Sequence, residues 1–324
     1  MTGLTRLIVL GLVLTAFAPS ADAMTWPRAV ALAHAFIYQH NTNAFRQLQD
    51  ASRQGDSAAQ TALGAMYVTG QGVTPNLPRA VHWFQLAARQ GFDRAQNNLG
   101  IMYEYGRGVT PNLPRAVHWF QLAARQGDAR GQYNLGIMYA AGKGVTPDLP
   151  RAVHWFQLAA RQGDARAQNN LGSMYATGKG VTPNLPRAFH WYQLAARQGF
   201  ARAQYTLGYM YATGKGVTPN LPRAVRWYQL AARQGYKPAI KRLRALQQQL
   251  QRTAHARPLP APAAAPAPAG AQRASTASPV HDQQQSVRNL QRFWTLYFQA
   301  AHARLVDFGA PALVQPVSFA AAHP

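Results

Sequence analysis

The residues best suited to chemistry in this sequence are histidines that recur at a constant spacing. They are His82, His118, His154 and His190, each 36 residues after the one before, and Arg226 takes the fifth place. A metal ion needs several ligands within a few ångströms of it. Side chains one helix pair apart stand on the order of 10 Å from each other. We therefore expect no shared metal site, only a row of side chains that gain charge together below about pH 6.5.

Other catalytic groupings are missing from the sequence. The GKG segment at Gly142–Gly144 has no Ser or Thr after it and recurs as a turn, so it does not read as a phosphate-binding loop. The ten acidic residues are scattered, which leaves little material for general acid–base catalysis. There is no cysteine, hence no thiolate nucleophile and no disulfide. The sequence predicts a protein that is not an enzyme and binds no cofactor or metal.

The spacing of the histidines belongs to a larger repeated unit, well represented by Asp128–Gly163. A fixed period in this range is typical of a solenoid built from helix pairs, and we predict an all-α fold of this kind. A Leu-Gly pair and a tryptophan mark the period, at Gly64, Gly100, Gly136, Gly172 and Gly208 and at Trp83, Trp119, Trp155, Trp191 and Trp227.

Each unit is predicted to contain two short helices. The first spans about residues 129–141, with Asp128 in place to cap its exposed amides and Gly142 to end it. The second begins after Asp148, with Pro150 in its first turn, where the missing N–H is not needed. One such pair cannot bury its own apolar side, so the units are expected to stack on each other.

The pattern xxLGxMYxxGxGVxxxxxxAxxWxxxAAxxG resembles the Sel-one-like repeat family, a relative of the tetratricopeptide repeats. The resemblance covers roughly residues 44–235, and the prolines of Thr-Pro-Asn-Leu-Pro-Arg are the main departure from the usual pattern. It implies a right-handed α-solenoid, a superhelix whose first helices line the concave groove. It also implies a non-catalytic scaffold of the kind found in envelope processes, signalling and host interaction.

The ends of the chain differ in composition from the repeats. Arg6, the apolar run of residues 7–18 and the Ala-x-Ala of residues 21–23 predict a cleaved signal peptide. That run is too short to span a bilayer, so we expect a mature chain without a transmembrane segment, exported to the periplasm or secreted. The predicted order is signal peptide 1–23, degenerate capping repeat 24–55, five repeats 56–235, closing helix 236–253, disordered Pro/Ala-rich linker 254–285, amphipathic helix 286–308 and tail 309–324.

The net charge of +23 raises the question of an anionic partner. Lys and Arg are spread evenly by the repeat, with no basic block and no interleaved aromatic residues, which argues against specific nucleic-acid binding. Attraction to an anionic envelope polymer or lipid surface remains an alternative function. A solvated charge without a dedicated partner is the third interpretation.

Differences between the repeats concentrate on one side of the first helix. At 100° per residue the variable positions fall within an arc of about 120°, while the constant ones occupy the rest. Asparagine offers both a donor and an acceptor, and tyrosine adds contact area with a hydroxyl. The predicted protein-binding groove consists of Asn97, Asn98, Ile101, Tyr105, Tyr133, Asn134, Ile137, Asn169, Asn170, Tyr205, Thr206 and Tyr209, with Leu290, Trp294 and Tyr297 of the C-terminal helix as a second contact.

These observations predict an exported adaptor that holds a protein or peptide segment in the groove. Three alternatives stay open: a solvent-facing side where substitutions accumulate, a basic protein bound to an anionic envelope surface, and a secreted effector that engages host proteins. The sequence does not identify the partner.

Overall fold

The structure, a computed structural model, describes residues 24–255. That part of the chain contains thirteen α-helices and no strand. The helices are α1 Trp26–Gln39, α2 Thr42–Arg53, α3 Ser57–Thr69, α4 Leu77–Arg89, α5 Asp93–Tyr105, α6 Leu113–Arg125, α7 Ala129–Ala141, α8 Leu149–Arg161, α9 Ala165–Thr177, α10 Leu185–Arg197, α11 Ala201–Thr213, α12 Leu221–Arg233 and α13 Lys237–His255.

From α3 to α12 the helices alternate in role, and each packs against its neighbours in the chain. Odd-numbered helices are the first helices of repeats one to five, and even-numbered helices are the second. This confirms the prediction of an α-solenoid of helix pairs. The predicted first helix of the third repeat, residues 129–141, coincides with α7.

Local signals set the ends of these helices as expected. The Asp128 carboxylate accepts a hydrogen bond from the Gly131 amide at 2.6 Å, and Gly142 ends α7 in the left-handed region with φ +65°. In the second helix, the Asp148 carboxylate accepts from the Arg151 amide at 2.8 Å. Each side chain satisfies an amide that the first helical turn leaves unpaired, so the boundaries follow from the sequence.

Within each repeat the two helices are joined by an aromatic ring that lies on a glycine. A Cβ added to Gly136 would stand 2.7 Å from the ring of Phe156, which is buried. Only glycine leaves room for the ring at this distance. The same arrangement recurs as Gly64 with Phe84, Gly100 with Phe120, Gly172 with Tyr192 and Gly208 with Tyr228.

The loops between the two helices also pack from repeat to repeat. Gly144 has φ +67°, and a Cβ there would lie 2.5 Å from the carbonyl carbon of Leu113 in the preceding repeat. The glycines of the GKG segment are therefore required by a turn and by close backbone packing. This accounts for the motif without a phosphate ligand.

Buried glutamines link each repeat to the one before it. The Gln132 side chain donates to the Ala124 carbonyl at 3.2 Å, and its own amide oxygen accepts from Gln162 at 2.8 Å. Gln162 in turn donates to the Gly127 carbonyl at 2.9 Å. One side chain thus ties the ends of α6 and α8 to α7. Equivalent buried glutamines are Gln60, Gln96, Gln168 and Gln204.

Helices also occur on both sides of the repeats. The degenerate N-terminal unit forms the pair α1 and α2, and Asn41 caps α2 through a hydrogen bond from the Ala44 amide. The closing helix predicted over 236–253 is α13, the beginning of a second compact unit that starts at Lys237. No helix among the described residues is long and apolar enough to cross a membrane.

The remaining predictions fall on residues outside the described range. They are the signal peptide 1–23, the linker from residue 256 onward, the amphipathic helix 286–308 with Leu290, Trp294 and Tyr297, and the tail 309–324.

Candidate functional site

The predicted groove residues lie on the first helices α5, α7, α9 and α11, and we call the surface they form the first-helix face. Its most exposed members are Tyr105, 65% exposed, and Tyr209, 37% exposed. Side chains that are half-buried make up the rest of the accessible face, namely Asn98, Ile101, Tyr133, Asn134, Ile137, Asn170, Tyr205 and Thr206. The face therefore combines projecting tyrosines with partly covered amide and aliphatic side chains.

Two predicted groove residues are not exposed. Asn97 and Asn169 retain only 1% and 4% exposure, so the expectation that they face solvent is wrong. The Asn97 side-chain oxygen accepts a hydrogen bond from the Asn134 amide at 2.8 Å. A helical wheel treats one helix in isolation, whereas here the next repeat covers the edge of the variable arc. Asparagine at this position is part of the junction between repeats.

Tyrosine replaces asparagine at the same position in the third and fifth repeats. The Tyr133 ring packs against Phe156 with 5.9 Å between ring centroids, and the Arg166 guanidinium lies 4.3 Å from the centre of the Tyr133 ring. Burial raises the pKa of Tyr133, and the positive charge of Arg166 partly opposes that rise. Tyr205 likewise packs against Tyr228 at 5.5 Å. Both tyrosines support the fold while presenting one side to solvent.

The face is continuous from one repeat to the next. Tyr105 lies close enough to Tyr133 to contribute to the raised pKa of Tyr133. At the edge of the face the Lys143 ammonium pairs with the Glu104 carboxylate at 3.4 Å, which again joins neighbouring repeats. In the fifth repeat the Lys215 ammonium lies 5.5 Å from the centre of the Tyr209 ring. A partner that lay along this face would contact several repeats at once.

Helix packing brings neighbouring first helices together in the first three repeats. The first helices α3 and α5 contact each other, as do α5 and α7. No pair of second helices from neighbouring described repeats is in comparable contact.

The recurring histidines lie on the second helices, away from this face. All four are exposed, and each meets the neighbouring tryptophan edge-on, as in His154 with Trp155 at 5.3 Å between ring centroids. Between residues 24 and 255 no group of three or more His, Cys, Asp or Glu side chains could hold a metal ion. These residues of the described range offer exposed imidazole rings in aromatic contact but no ligand set.

Sequence reasoning missed a cation–π contact that recurs in every repeat. The Arg151 guanidinium lies 5.7 Å from the centre of the Tyr139 ring, which joins the start of the second helix to the first. Such contacts add modest stability at a partly exposed site. The signal was present, because Arg and Tyr both recur at the same step, as Arg79 on Tyr67, Arg115 on Tyr103, Arg187 on Tyr175 and Arg223 on Tyr211.

This fold and face define a helical-repeat protein whose variable surface is carried by first helices. The sequence profile of the Sel1 repeat matches five consecutive stretches, residues 57–92, 93–128, 129–164, 165–200 and 201–236. The chain therefore belongs to the Sel1 repeat family. Proteins of this family are generally non-catalytic scaffolds whose repeats mediate protein interactions.

Solved structures agree with this assignment. A Sel1 repeat protein from Oxalobacter formigenes is 34% identical with a TM-score of 0.61, over 67% of this chain and 86% of that one. The protein c5321, a protective antigen present in uropathogenic Escherichia coli strains, is 35% identical with a TM-score of 0.63, over 73% of this chain and 52% of that one. A comparison with curated proteins gave no match.

Proposed function

We propose that this chain is a non-catalytic scaffold that binds a protein or peptide segment along the first-helix face. The observation that carries the proposal is the exposure of Tyr105 and Tyr209 on the side where the repeats differ. The second helices, in contrast, repeat the segment PRAVHWFQLAARQG three times. A surface that varies between copies while keeping large amphipathic side chains is suited to one specific partner.

The side chains of the face match the needs of peptide recognition. Tyrosine gives a large contact area and a hydroxyl at little cost in conformational entropy. Half-buried amides such as Asn98 and Asn170 can bond both groups of a peptide backbone. Fully exposed charged side chains would be costlier to desolvate at the centre of an interface.

A double substitution tests the proposal with little risk to folding. Tyr105→Ala with Tyr209→Ala removes exposed rings, whereas substitution of Tyr133 or Tyr205 would also disturb packing. The whole chain and this variant are used to capture proteins from an envelope extract, and captured proteins are identified by mass spectrometry. We expect one defined protein to be retained by the parent and lost from the variant. Tyr38→Ala, which removes an equally exposed tyrosine from α1, should retain it; equal capture by all three chains would refute the proposal.

Binding to an anionic envelope surface is a second candidate, supported by exposed arginines at the ends of the second helices. None of these arginines has an ion pair within the described residues; they are Arg89, Arg125, Arg161, Arg197 and Arg233. Charge-driven binding weakens steeply as salt rises. Release of the captured material by about 0.5 M salt, from the parent and the double variant alike, would favour this candidate.

We also propose that the protein is exported and begins at Met24 after processing. The Met24 backbone nitrogen donates to the Asp56 carboxylate at 2.6 Å, and the same carboxylate caps α3 through the Ala59 amide at 2.7 Å. Cleavage after residue 23 would turn this nitrogen into an ammonium group and make the bond charge-assisted. N-terminal sequencing of the protein from a periplasmic fraction should read Met-Thr-Trp-Pro; a chain that keeps residues 1–23 would contradict export by this route.

A further inference from the structure

One junction between repeats lacks a hydrogen bond that the two junctions before it possess. Between the second and third repeats, Asn134 donates to the Asn97 oxygen at 2.8 Å. Between the third and fourth, Tyr133 is hydrogen-bonded to Asn170, the residue 37 positions later in the same register. At two successive junctions, therefore, an asparagine from the following repeat forms a hydrogen bond with the residue at this position.

The junction between the fourth and fifth repeats is different because Thr206 takes the place of that asparagine. The Thr206 hydroxyl donates to the Arg202 carbonyl of its own helix at 3.0 Å. The Asn169 amide group donates weakly to Asn170 at 3.4 Å, but the Asn169 oxygen has no hydrogen-bond partner in the part of the chain that the structure describes. Asn169 is 4% exposed, and a buried acceptor without a donor is energetically unfavourable.

The same junction contains a cation that lacks the carboxylate found in the two repeats before it. Arg130 pairs with Asp128 at 3.4 Å, and Arg166 pairs with Asp164 at 2.6 Å. In the fifth repeat the corresponding cap position is Phe200, so Arg202 is left without a carboxylate partner among the described residues.

The register of the repeats places these groups at the same junction, because Arg202 follows Asn169 by the 33 residues that separate Arg166 from Tyr133, where the guanidinium lies 4.3 Å from the ring centre. Ser173 lies one helical turn after Asn169 and is hydrogen-bonded to Tyr192 of the second helix. The charge of Arg202 acts on the same Tyr192 hydroxyl, and the Arg202 carbonyl holds Thr206. We call Asn169, Ser173, Tyr192, Arg202 and Thr206 the open junction. It contains a buried acceptor and a cation that have no hydrogen-bond or carboxylate partner among the described residues.

We propose that the open junction binds an acidic residue of an extended peptide, whose backbone N–H bonds the Asn169 oxygen while its carboxylate pairs with Arg202. This inference rests on the proposed function and places the anchoring point of the partner between the fourth and fifth repeats. An anionic polymer or lipid surface that binds through charge alone would satisfy the cation but not the amide oxygen. The Asn169 oxygen is covered in the free chain, so the peptide reaches it after side chains at the junction rotate, a common change at interfaces.

The test compares a variant that restores the asparagine at this junction with a variant that removes the asparagine from another junction. Thr206→Asn restores the asparagine found at the earlier junctions and leaves the net charge unchanged. Asn134→Thr is its matched control, since it opens the junction at Asn97, where Arg130 is already paired. In the same way, Arg202→Gln removes the unpaired cation and Arg130→Gln removes a paired one.

The probe is a dye-labelled peptide in which Thr and Glu alternate. The control peptide is the same peptide with Gln in place of Glu. Binding to the whole chain is followed by fluorescence anisotropy at one fixed ionic strength. We expect Thr206→Asn to bind the Thr-Glu peptide about tenfold more weakly and to melt about 2 °C higher than the parent. Arg202→Gln should lower the affinity for the Thr-Glu peptide and leave the affinity for the Thr-Gln peptide unchanged.

Arg130→Gln should bind the Thr-Glu peptide as the parent does, whereas Asn134→Thr serves only as a stability control and should melt at a lower temperature than the parent. Unchanged affinity in Thr206→Asn, or equal affinity of the parent for the two peptides, overturns the proposal. If Tyr105→Ala with Tyr209→Ala abolishes binding while Thr206→Asn does not, the first-helix face is retained and the open junction is wrong. If neither change affects binding, the proposed function is wrong as well.

Discussion

The second helices and the first-helix face show what the repeats keep and what they change. The second helix of the third repeat, α8, has the same sequence as α4 and α6, and its Phe156 is buried on a glycine of the first helix. On the first-helix face, one position is occupied in turn by Asn97, Tyr133, Asn169 and Tyr205. Substitution is tolerated where contacts between repeats can be remade and avoided where a ring fills all the available space.

The constant and the variable positions differ in packing geometry more than in residue polarity. Buried amides occur on both sides of this division, as Gln132 among the constant residues and Asn97 among the variable ones. Gln132 bonds to the Ala124 carbonyl and to a second glutamine, so both of its partners recur with the period. Asn97 bonds to one side chain, and that side chain can be exchanged in the next repeat.

The largest expected effect is on the constant side. Phe156→Ala empties the space over Gly136, and loss of a buried aromatic ring costs about 3–5 kcal/mol of unfolding free energy. Because the repeats are stacked in a row, the loss should appear as an earlier transition of the flanking repeats. Chemical denaturation followed by circular dichroism measures it. A loss below about 1 kcal/mol would show that the ring is not what joins the two helices.

A somewhat smaller effect is expected in the loops. Gly144→Ala places a Cβ against the backbone of Leu113 and strains a residue held at positive φ. Strain of this kind and overpacking each cost about 1–3 kcal/mol. Gly163→Ala is an informative control, because Gly163 also has positive φ but no atom of the described residues lies within 4 Å of an added Cβ. The difference in melting temperature between the two variants measures the loop contact alone; equal values would contradict it.

The hydroxyl of Tyr192 should make stability depend on alkaline pH. Burial raises the pKa of Tyr192 above its usual value of 10.0, opposed by a hydrogen bond from Ser173 and by Arg202. The stability that comes from keeping the phenol neutral is fully present below about pH 10 and is lost as pH rises through the folded pKa. Tyr192→Phe, the residue type of the first three repeats, should reduce this alkaline loss. Melting curves of parent and variant between about pH 8 and 11 check it, and parallel decline would contradict the assignment.

The smallest effect is expected on the variable side. Tyr105→Ala removes an exposed ring and should change the free energy of unfolding by less than about 0.5 kcal/mol. Thermal denaturation of Tyr105→Ala and Phe156→Ala in the same experiment compares the smallest and the largest expected losses of stability. A destabilisation of Tyr105→Ala similar to that of Phe156→Ala would mean that the first-helix face is part of the core.

The parts of the structure that the sequence predicted are those governed by local chemistry. Asp128 caps a helix and Gly142 ends one because of their own conformational and hydrogen-bonding preferences, so both could be read from one repeat. The burial of Asn97 and Asn169 could not, because it depends on what the following repeat places against them. The open junction also could not be predicted from the sequence. The effect of Thr206 and Phe200 became clear only when the structure showed which bonds Asn134 and Asp164 make at the same positions of earlier repeats.

The glutamine links described above are the same at every junction between the five repeats. Removal of residues 129–164 would bring Gln168 into the place of Gln132, beneath the same Ala124 carbonyl. Duplication of the same stretch would add a junction of the same kind. The gene can therefore lengthen or shorten this protein by unequal crossing-over in steps of 36 residues, and each product inherits working contacts between its repeats.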